Sequence, residues 1–199
     1  MSIETASSDH FKIECRDIIL CEYRTEDLAA LYAITQQPEV LDYLPDWNVP
    51  KKQRLEWLME YEIPENKEFL KTVAENGDIK ELRLRLGILL KETGEFIGWC
   101  CTGIKDELPP PNREIMFALS NRHVNKGYTT QALRGLTHYL FGKTSVDVLN
   151  AVAEKRNTGS NRVIQKNGFH YVGEVQIEDH LLNHYKLTRS EWAAFQSSL

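Results

Sequence analysis

The segment 157–169, NTGSNRVIQKNGF, limits the possible folds more than any other stretch of the chain. It reads as a short helix with both ends fixed. Asn157 follows a strand-like run at 146–153, and its side-chain oxygen can accept from exposed amides of a first helical turn. Ser160 lies one turn further on the same side. Val163 and Ile164 supply an apolar stripe, and Lys166 suits the negative end of the helix dipole. Gly168 can take the left-handed conformation that stops a helix, after which Phe169 restarts an apolar strand. Such caps would serve any buried helix. What sets this one apart is the placement of Asn157 and Ser160 where unpaired N–H groups and partial positive charge collect.

The 199 residues suffice for one full α/β domain, or at most two small ones, and 42% apolar with 27% charged residues is ordinary for a soluble globular protein. A net charge of −5 argues against general nucleic-acid binding, which needs a concentrated basic surface, and leaves room for a cationic acceptor. There is no apolar run of roughly eighteen residues, so no transmembrane helix is expected. The polar start at 1–10 lacks the apolar core of a secretory signal. Cys15, Cys21, Cys100 and Cys101 form neither a CxxC pair nor a metal-ligand spacing. Free thiols in a reducing compartment are expected, and with them a cytoplasmic location.

Along the chain, 16–24 reads as a first strand and Thr25 as the cap of a following helix bearing Leu28, Leu31 and Tyr32. Residues 38–50 form a proline-bounded aromatic loop. A helix over 51–62 carries Leu55, Leu58 and Met59 as its stripe and is interrupted at Pro64, with a polar helical piece beyond. Strands at 82–91 and 95–102 flank a hairpin turn, and the triple-proline segment 106–112 is an exposed loop. A strand at 113–120, a helix at 128–141 and a strand at 146–153 lead to the opening segment. Two strands, 170–177 and 182–187, and a capped turn at 190–195 close the chain. The order β-α-α-β-β-β-α-β-α-β-β has no repeat or linker, so one domain is expected.

Between the strand at 113–120 and the helix at 128–141 lies RHVNKGYTTQAL, residues 122–133. Gly127 permits a tight turn, and the amides of about 125–130 would point outward at a helix start, a ready anion site. It is neither a Walker A loop nor a dinucleotide fingerprint. An ordinary strand-to-helix turn is the simpler alternative.

The pattern Asn-x-x-Ser-x-x-Val-Ile-x-Lys-x-Gly-Phe resembles the C-terminal motif of the GCN5-related N-acetyltransferases (GNAT), particularly ribosomal-protein N-terminal acetyltransferases of the RimJ/RimL type. The resemblance covers about residues 14–190 and leaves 1–13 as a polar N-terminal extension. It implies a single-domain GNAT fold of the α/β (α+β) class, with a mixed, mostly antiparallel central sheet, splayed in the middle and flanked by helices on both faces. It also implies acetyl-CoA as donor, no metal, and an amine acceptor, either a protein N-terminus or a small molecule. Neither a nucleic acid nor a membrane would be a partner, and the protein would be a monomer or homodimer. By the same resemblance, Asn157 touches the pantetheine arm, Ser160 lies near the sulfur, and the backbone of Phe117 and Leu119 pairs with pantetheine. Val124, Asn125, Lys126, Gly127, Tyr128, Thr129 and Thr130 form the pyrophosphate turn. Here the chain departs from the family pattern. Val124 stands where Arg or Gln is usual, Asn125 where a glycine often sits, Thr129 where a small residue sits, and Gln131 where Glu is common.

Acetyl transfer to an amine requires a neutral amine, a polarised thioester carbonyl and a proton for the leaving thiolate. Glu114 matches the Glu of the family's Glu-Ile-Gly-Tyr pattern, here Glu114-Ile-Met-Phe117, and is the candidate base; a solvated strand-end carboxylate is the alternative. Ser160 is the candidate acid or else a local cap, and Tyr171 is a second candidate acid or a packing residue. Tyr43 and Trp47 lie in the loop that borders the acceptor in the family. Glu60, Glu62, Glu65 and Glu68 would attract a cation or simply line a solvated helix face. His180 and His184 suggest no metal site, and no Gly-x-Ser-x-Gly elbow supports a hydrolase. A catalytically impaired GNAT-fold protein that binds coenzyme A or a protein partner, as sensor or scaffold, is the competing expectation. It is motivated by Val124, Thr129 and Met116, the last standing where the family has glycine.

Overall fold

The computed structural model describes residues 10–197. Eight strands form one sheet in the order β1-β2-β3-β4-β5-β6-β8-β7: β1 (Lys12–Glu14), β2 (Ile18–Glu22), β3 (Leu84–Leu90), β4 (Phe96–Ile104), β5 (Arg113–Leu119), β6 (Val148–Glu154), β7 (His170–Ile177) and β8 (His180–Thr188). Every neighbouring pair is antiparallel except β5 and β6, which run parallel and share a single register pair, Glu114 with Asn150. The sheet therefore opens at that point. This is the α/β fold with a mostly antiparallel sheet and flanking helices that the resemblance implied.

Among the described residues, seven α-helices flank the sheet: α1 (Leu28–Thr35), α2 (Pro38–Leu41), α3 (Lys51–Trp57), α4 (Ile63–Glu75), α5 (Tyr128–Lys143), α6 (Thr158–Lys166) and α7 (Arg189–Gln196). Alternation along the strands divides the core into two layers. On one face, Leu133, Leu136 and Leu140 of α5 pack with Leu20, Leu86, Ile115 and Leu149. On the other, Leu31, Ile34 and Leu58 pack against Tyr23, Trp99 and Ala118. No helix among the described residues is long and apolar enough to cross a membrane.

Several local expectations change. Residues 38–50 are not a plain loop, because Pro38 opens the short helix α2 and Pro45 a 3₁₀ turn through Trp47, each proline sitting at a first helical position where no N–H is required. Pro64 does not interrupt its helix. A π-turn at Leu58–Glu62, with Ile63 N–H bonded to Leu58 O, joins α3 to α4 without a break. The wider turn relieves the clash that a proline ring makes with the carbonyl four residues earlier. Leu55 and Met59 are exposed at 37% and 43%, so the inward face is instead Arg54, Leu58, Glu62, Asn66 and Phe69. At the ends, β1 pairs with β2 from Lys12, and Trp192 of α7 joins the core, so the packed body reaches past both 14 and 190. The closing capped turn is a helix, Arg189–Gln196, whose cap is Thr188, with Oγ1 accepting from Glu191 N.

Candidate active site

The opening of the sheet creates the site. Beyond the Glu114–Asn150 pair, residues 115–119 of β5 and 152–154 of β6 line a cleft of about 1350 Å³. The start of α5 and the start of α6 border it as well.

The turn before α5 is held by local ties. Ser120 N–H donates to Ile97 O at 2.8 Å, and the buried His123 ring meets Glu95 at 3.2 Å. Asn125 (φ 63°) and Gly127 (φ 80°) both adopt left-handed backbone, which asparagine tolerates better than most residues and glycine adopts freely. The first helical bond of α5 runs from Gln131 N to Gly127 O, so the amides of Tyr128, Thr129 and Thr130 have no acceptor within the helix. They lie at the cleft, as do Val124, Asn125 and Gly127. Lys126 is exposed and is not among the cleft residues. Gln131 has its own explanation. Its Oε1 accepts from Asp17 N (2.9 Å) while its Nε2 donates to the Asp17 carboxylate (2.7 Å), a double role that a glutamate could not fill.

On α6, Asn157 Oδ1 accepts from Ser160 N at 3.0 Å, the cap read from the sequence. Its Nδ2 makes no hydrogen bond among the described residues, so the cap leaves a donor at the cleft. Asn161 fixes the helix in place. Its Nδ2 donates to Glu154 O and Asn157 O, and its Oδ1 accepts from Asn183 Nδ2 and Tyr185 OH. Gly168 (φ 85°) ends the segment, and a Cβ there would sit 3.1 Å from the Phe195 ring. Arg162 and Lys166 place two cations along this wall. Arg162 escaped the sequence reading, and Lys166 entered it only as a dipole partner.

Glu114 lies at the cleft on a partly buried stretch of β5. Burial raises its carboxyl pKa from 4.5 to about 7, a shift opposed by Lys105 and Arg83 and reinforced by Glu107. Phe117, Leu119, Ser160, Tyr43 and Trp47 border the same cleft. Trp47 stacks on Trp99 at 4.8 Å and receives the Arg54 guanidinium on its ring, so packing already fixes it. Tyr43 carries the Arg156 guanidinium over its ring at 4.7 Å, while Arg156 binds Asp42 and Glu154 at 2.6 Å each. That strap joins the end of α2 to the start of α6.

Other candidates fall elsewhere. Tyr171 is 50% exposed on the edge strand β7 and does not line the cleft; its ring packs edge-on against the core residue Tyr185 at 5.7 Å, so it fits the packing alternative and not the acid. The acidic run divides: Glu60 and Glu68 are exposed on a solvated face, whereas Glu62 is buried against Arg54 (2.6 Å) and Arg85 (3.6 Å), and Glu65 binds Arg85 at 2.8 Å. Among the described residues no group of His, Cys, Asp and Glu is arranged to hold a metal ion. Cys101 borders the cleft, but burial pushes its thiol up to about 12, so it stays protonated and is no nucleophile near neutrality.

Residues 17–170 match the family description "Acetyltransferase (GNAT) domain". The chain belongs to that family. An uncharacterized N-acetyltransferase, p20 of Bacillus licheniformis, is 30% identical over 89 residues, which cover 45% of this chain and 49% of that protein. The chain spans about half the length of the curated relatives it matches. Among solved GNAT structures, aminoglycoside acetyltransferase AAC(6')-Ib in complex with coenzyme A and kanamycin aligns at TM-score 0.69 and 19% identity, covering 90% of this chain and 99% of that one. RimL, a ribosomal L7/L12 alpha-N-protein acetyltransferase, aligns at TM-score 0.68 and 17% identity, covering 94% and 98%. At these identities the likeness shows a shared fold.

The cleft of this chain suits a long anionic ligand. Free first-turn amides and the positive end of the α5 dipole fit a pyrophosphate. Arg162 and Lys166 add countercharge on the facing wall, and the open edge of β5 offers backbone groups to an amide-containing arm.

Proposed function

We propose that this chain is an acetyl-CoA-dependent N-acetyltransferase of the RimJ/RimL type that acetylates a primary amine, a protein N-terminus or small amine, within a ternary complex. The observation that carries this reading is the convergence on one cleft of the Gly127 turn, the Asn157 helix start and a carboxyl titrating near neutrality.

Acetyl-CoA, when bound, supplies the acetyl group as an activated thioester. The amides of Tyr128, Thr129 and Thr130 hold its phosphates, and Asn157 Nδ2 steadies its arm while Oδ1 keeps the helix cap. Glu114 takes the proton from the incoming ammonium. The neutral amine nitrogen attacks the thioester carbonyl, the C–N bond forms as the C–S bond breaks, and the second proton that the nitrogen sheds reaches the departing sulfur through the Ser160 hydroxyl, which is freed from capping because only its amide bonds Asn157. Because Cys101 remains a thiol, transfer is direct and involves no acyl-cysteine.

The titration of Glu114 selects among acceptors. Moving a proton from an α-ammonium (~7.7–8.0) to a carboxylate near 7 costs about 1 kcal/mol, whereas a lysine-like ammonium (~10.4) costs about 4–5 kcal/mol. Glu114 is thus adequate for an α-amine and weak for a side-chain amine. RimL acts on a protein N-terminus by its name, which agrees with this preference. The test is thiol release from acetyl-CoA with matched peptides, one with a free α-amine and one with only a free lysine amine. Turnover with the α-amine peptide supports the reading. Folded protein that releases no thiol with either peptide, or with small amines, contradicts it.

A further inference from the structure

The place where the sheet opens is tied by one side chain. Asn150 has no exposed surface. Its Nδ2 donates to Pro111 O at 2.9 Å and to Arg113 O at 3.1 Å, and its Oδ1 lies 2.9 Å from His184 Nε2. A carboxamide has two N–H donors, so both are committed and the oxygen can only accept. His184 must therefore carry its proton on Nε2. Burial, reinforced by Lys186, lowers the pKa of this ring and keeps it neutral. The side chain thus joins β8, β6 and the start of β5.

The Arg113 carbonyl belongs to the peptide group that leads directly into Glu114. Asn150 is also the register partner of Glu114, so the two side chains project to one face of the sheet. The backbone ladder between β5 and β6 supplies only this one pair, so the carboxamide does the anchoring that further ladder bonds would do between closed strands.

We propose that Asn150 is a positioning residue for acetyl transfer, fixing the start of β5 so that Glu114 stands at the apex of the cleft and faces the acceptor amine. The proposal rests on Glu114 acting as the base. The charged groups that bear on Glu114 are Lys105, Glu107 and Arg83, with Arg113 adjacent in the chain. Asn150 adds no charge to that set. A carboxylate at 150 would supply a like charge and remove both donors.

The test is a kinetic cycle of Asn150→Ala, Glu114→Gln and the double variant, with Asn150→Asp followed across pH. Asn150→Ala is expected to lower kcat at saturating substrates by about tenfold or more and to leave the acetyl-CoA KM within about threefold. In the Glu114→Gln background the same change should cost less than about twofold, because the group it positions is already gone. Asn150→Asp should move the acid limb of kcat/KM upward by about one pH unit. A merely structural role gives equal losses in both backgrounds and an unmoved limb, and either result overturns the proposal. Should Asn150→Ala fail to fold, His184→Leu, which leaves both carboxamide donors in place, enters the same cycle with a smaller loss expected and the same overturning result. If Glu114→Gln alone keeps full kcat, the base assignment fails and the proposal with it. Slow Glu114→Gln with additive losses fails the Asn150 proposal alone.

Discussion

Arg54, with none of its surface exposed, meets the Glu62 carboxylate at 2.6 Å from two turns earlier in the same helical run. The other Glu62 oxygen faces Arg85 on β3 at 3.6 Å, and Arg85 also binds Glu65. Through Arg85 the pair ties the α3–α4 helix to the sheet. Glu62→Gln would leave the Arg54 charge buried without its counterion. Breaking such a pair on one side costs about 3–5 kcal/mol. Denaturant unfolding should show a loss of that size, and a loss under about 1 kcal/mol would mean that the pair behaves as a surface contact.

With Glu114 as the proposed base, activity and stability are expected to respond to pH in opposite directions. Its carboxyl moves from 4.5 to about 7 on folding, so the folded protein holds a proton that the unfolded chain releases across that window. Stability therefore falls as pH rises from about 4.5 to 7, by at most about 3 kcal/mol. Over the upper part of the same window kcat/KM should climb as the base ionises. Glu114→Gln should slow transfer, remove that acid limb and gain relative stability above pH ~7. A variant with an unchanged limb would assign it to another group.

Asn157 serves the fold with one atom and the proposed donor site with another. Asn157→Asp keeps an oxygen for Ser160 N but lacks the Nδ2 donor. It should unfold within about 0.5 kcal/mol of the parent and raise the acetyl-CoA KM severalfold. Asn157→Ala should also lose about 1 kcal/mol of stability. Equal KM values for the parent and Asn157→Asp would restrict this residue to capping.

Gln131→Glu restores the residue common in the family and should nevertheless harm this chain. It would set a carboxylate against Asp17 and delete the 2.7 Å bond from Nε2. A lower midpoint near pH 7, recovering as either carboxyl is protonated, should appear in thermal or chemical unfolding. No loss at all would mean that the Asp17–Gln131 pair carries no weight.

The parts of the fold legible in the sequence are those written in local chemistry. Asn157, Gly168 and Gly127 each demand a particular backbone state, and all three occur where their types require. Strand alternation likewise put Ile115, Phe117 and Leu119 against one core layer and Ala118 against the other. What escaped depends on partners distant in the chain. Glu62 reads as part of a cation-attracting or solvated face, and Arg54 carries no signal at all, until Arg85, Trp47 and Trp99 are placed around them. Asn150 gives no local signal, because its meaning comes from Pro111, Arg113 and His184, each more than thirty residues away. Pro64 misled for a different reason, since a π-turn upstream accommodates it and no simple residue rule announces that turn. Tyr171 misled only as a candidate acid, because an edge strand leaves it half-exposed.

Every role proposed for these residues depends on acetyl-CoA entering the cleft between the Gly127 turn and the Asn157 helix. Isothermal titration of folded protein with acetyl-CoA tests it most directly. The prediction is saturable one-to-one binding with Kd below about 1 mM, weakened severalfold by Asn157→Asp. An absence of heat of binding in protein whose fold is verified in the same sample, confirmed by equilibrium dialysis, would contradict those roles.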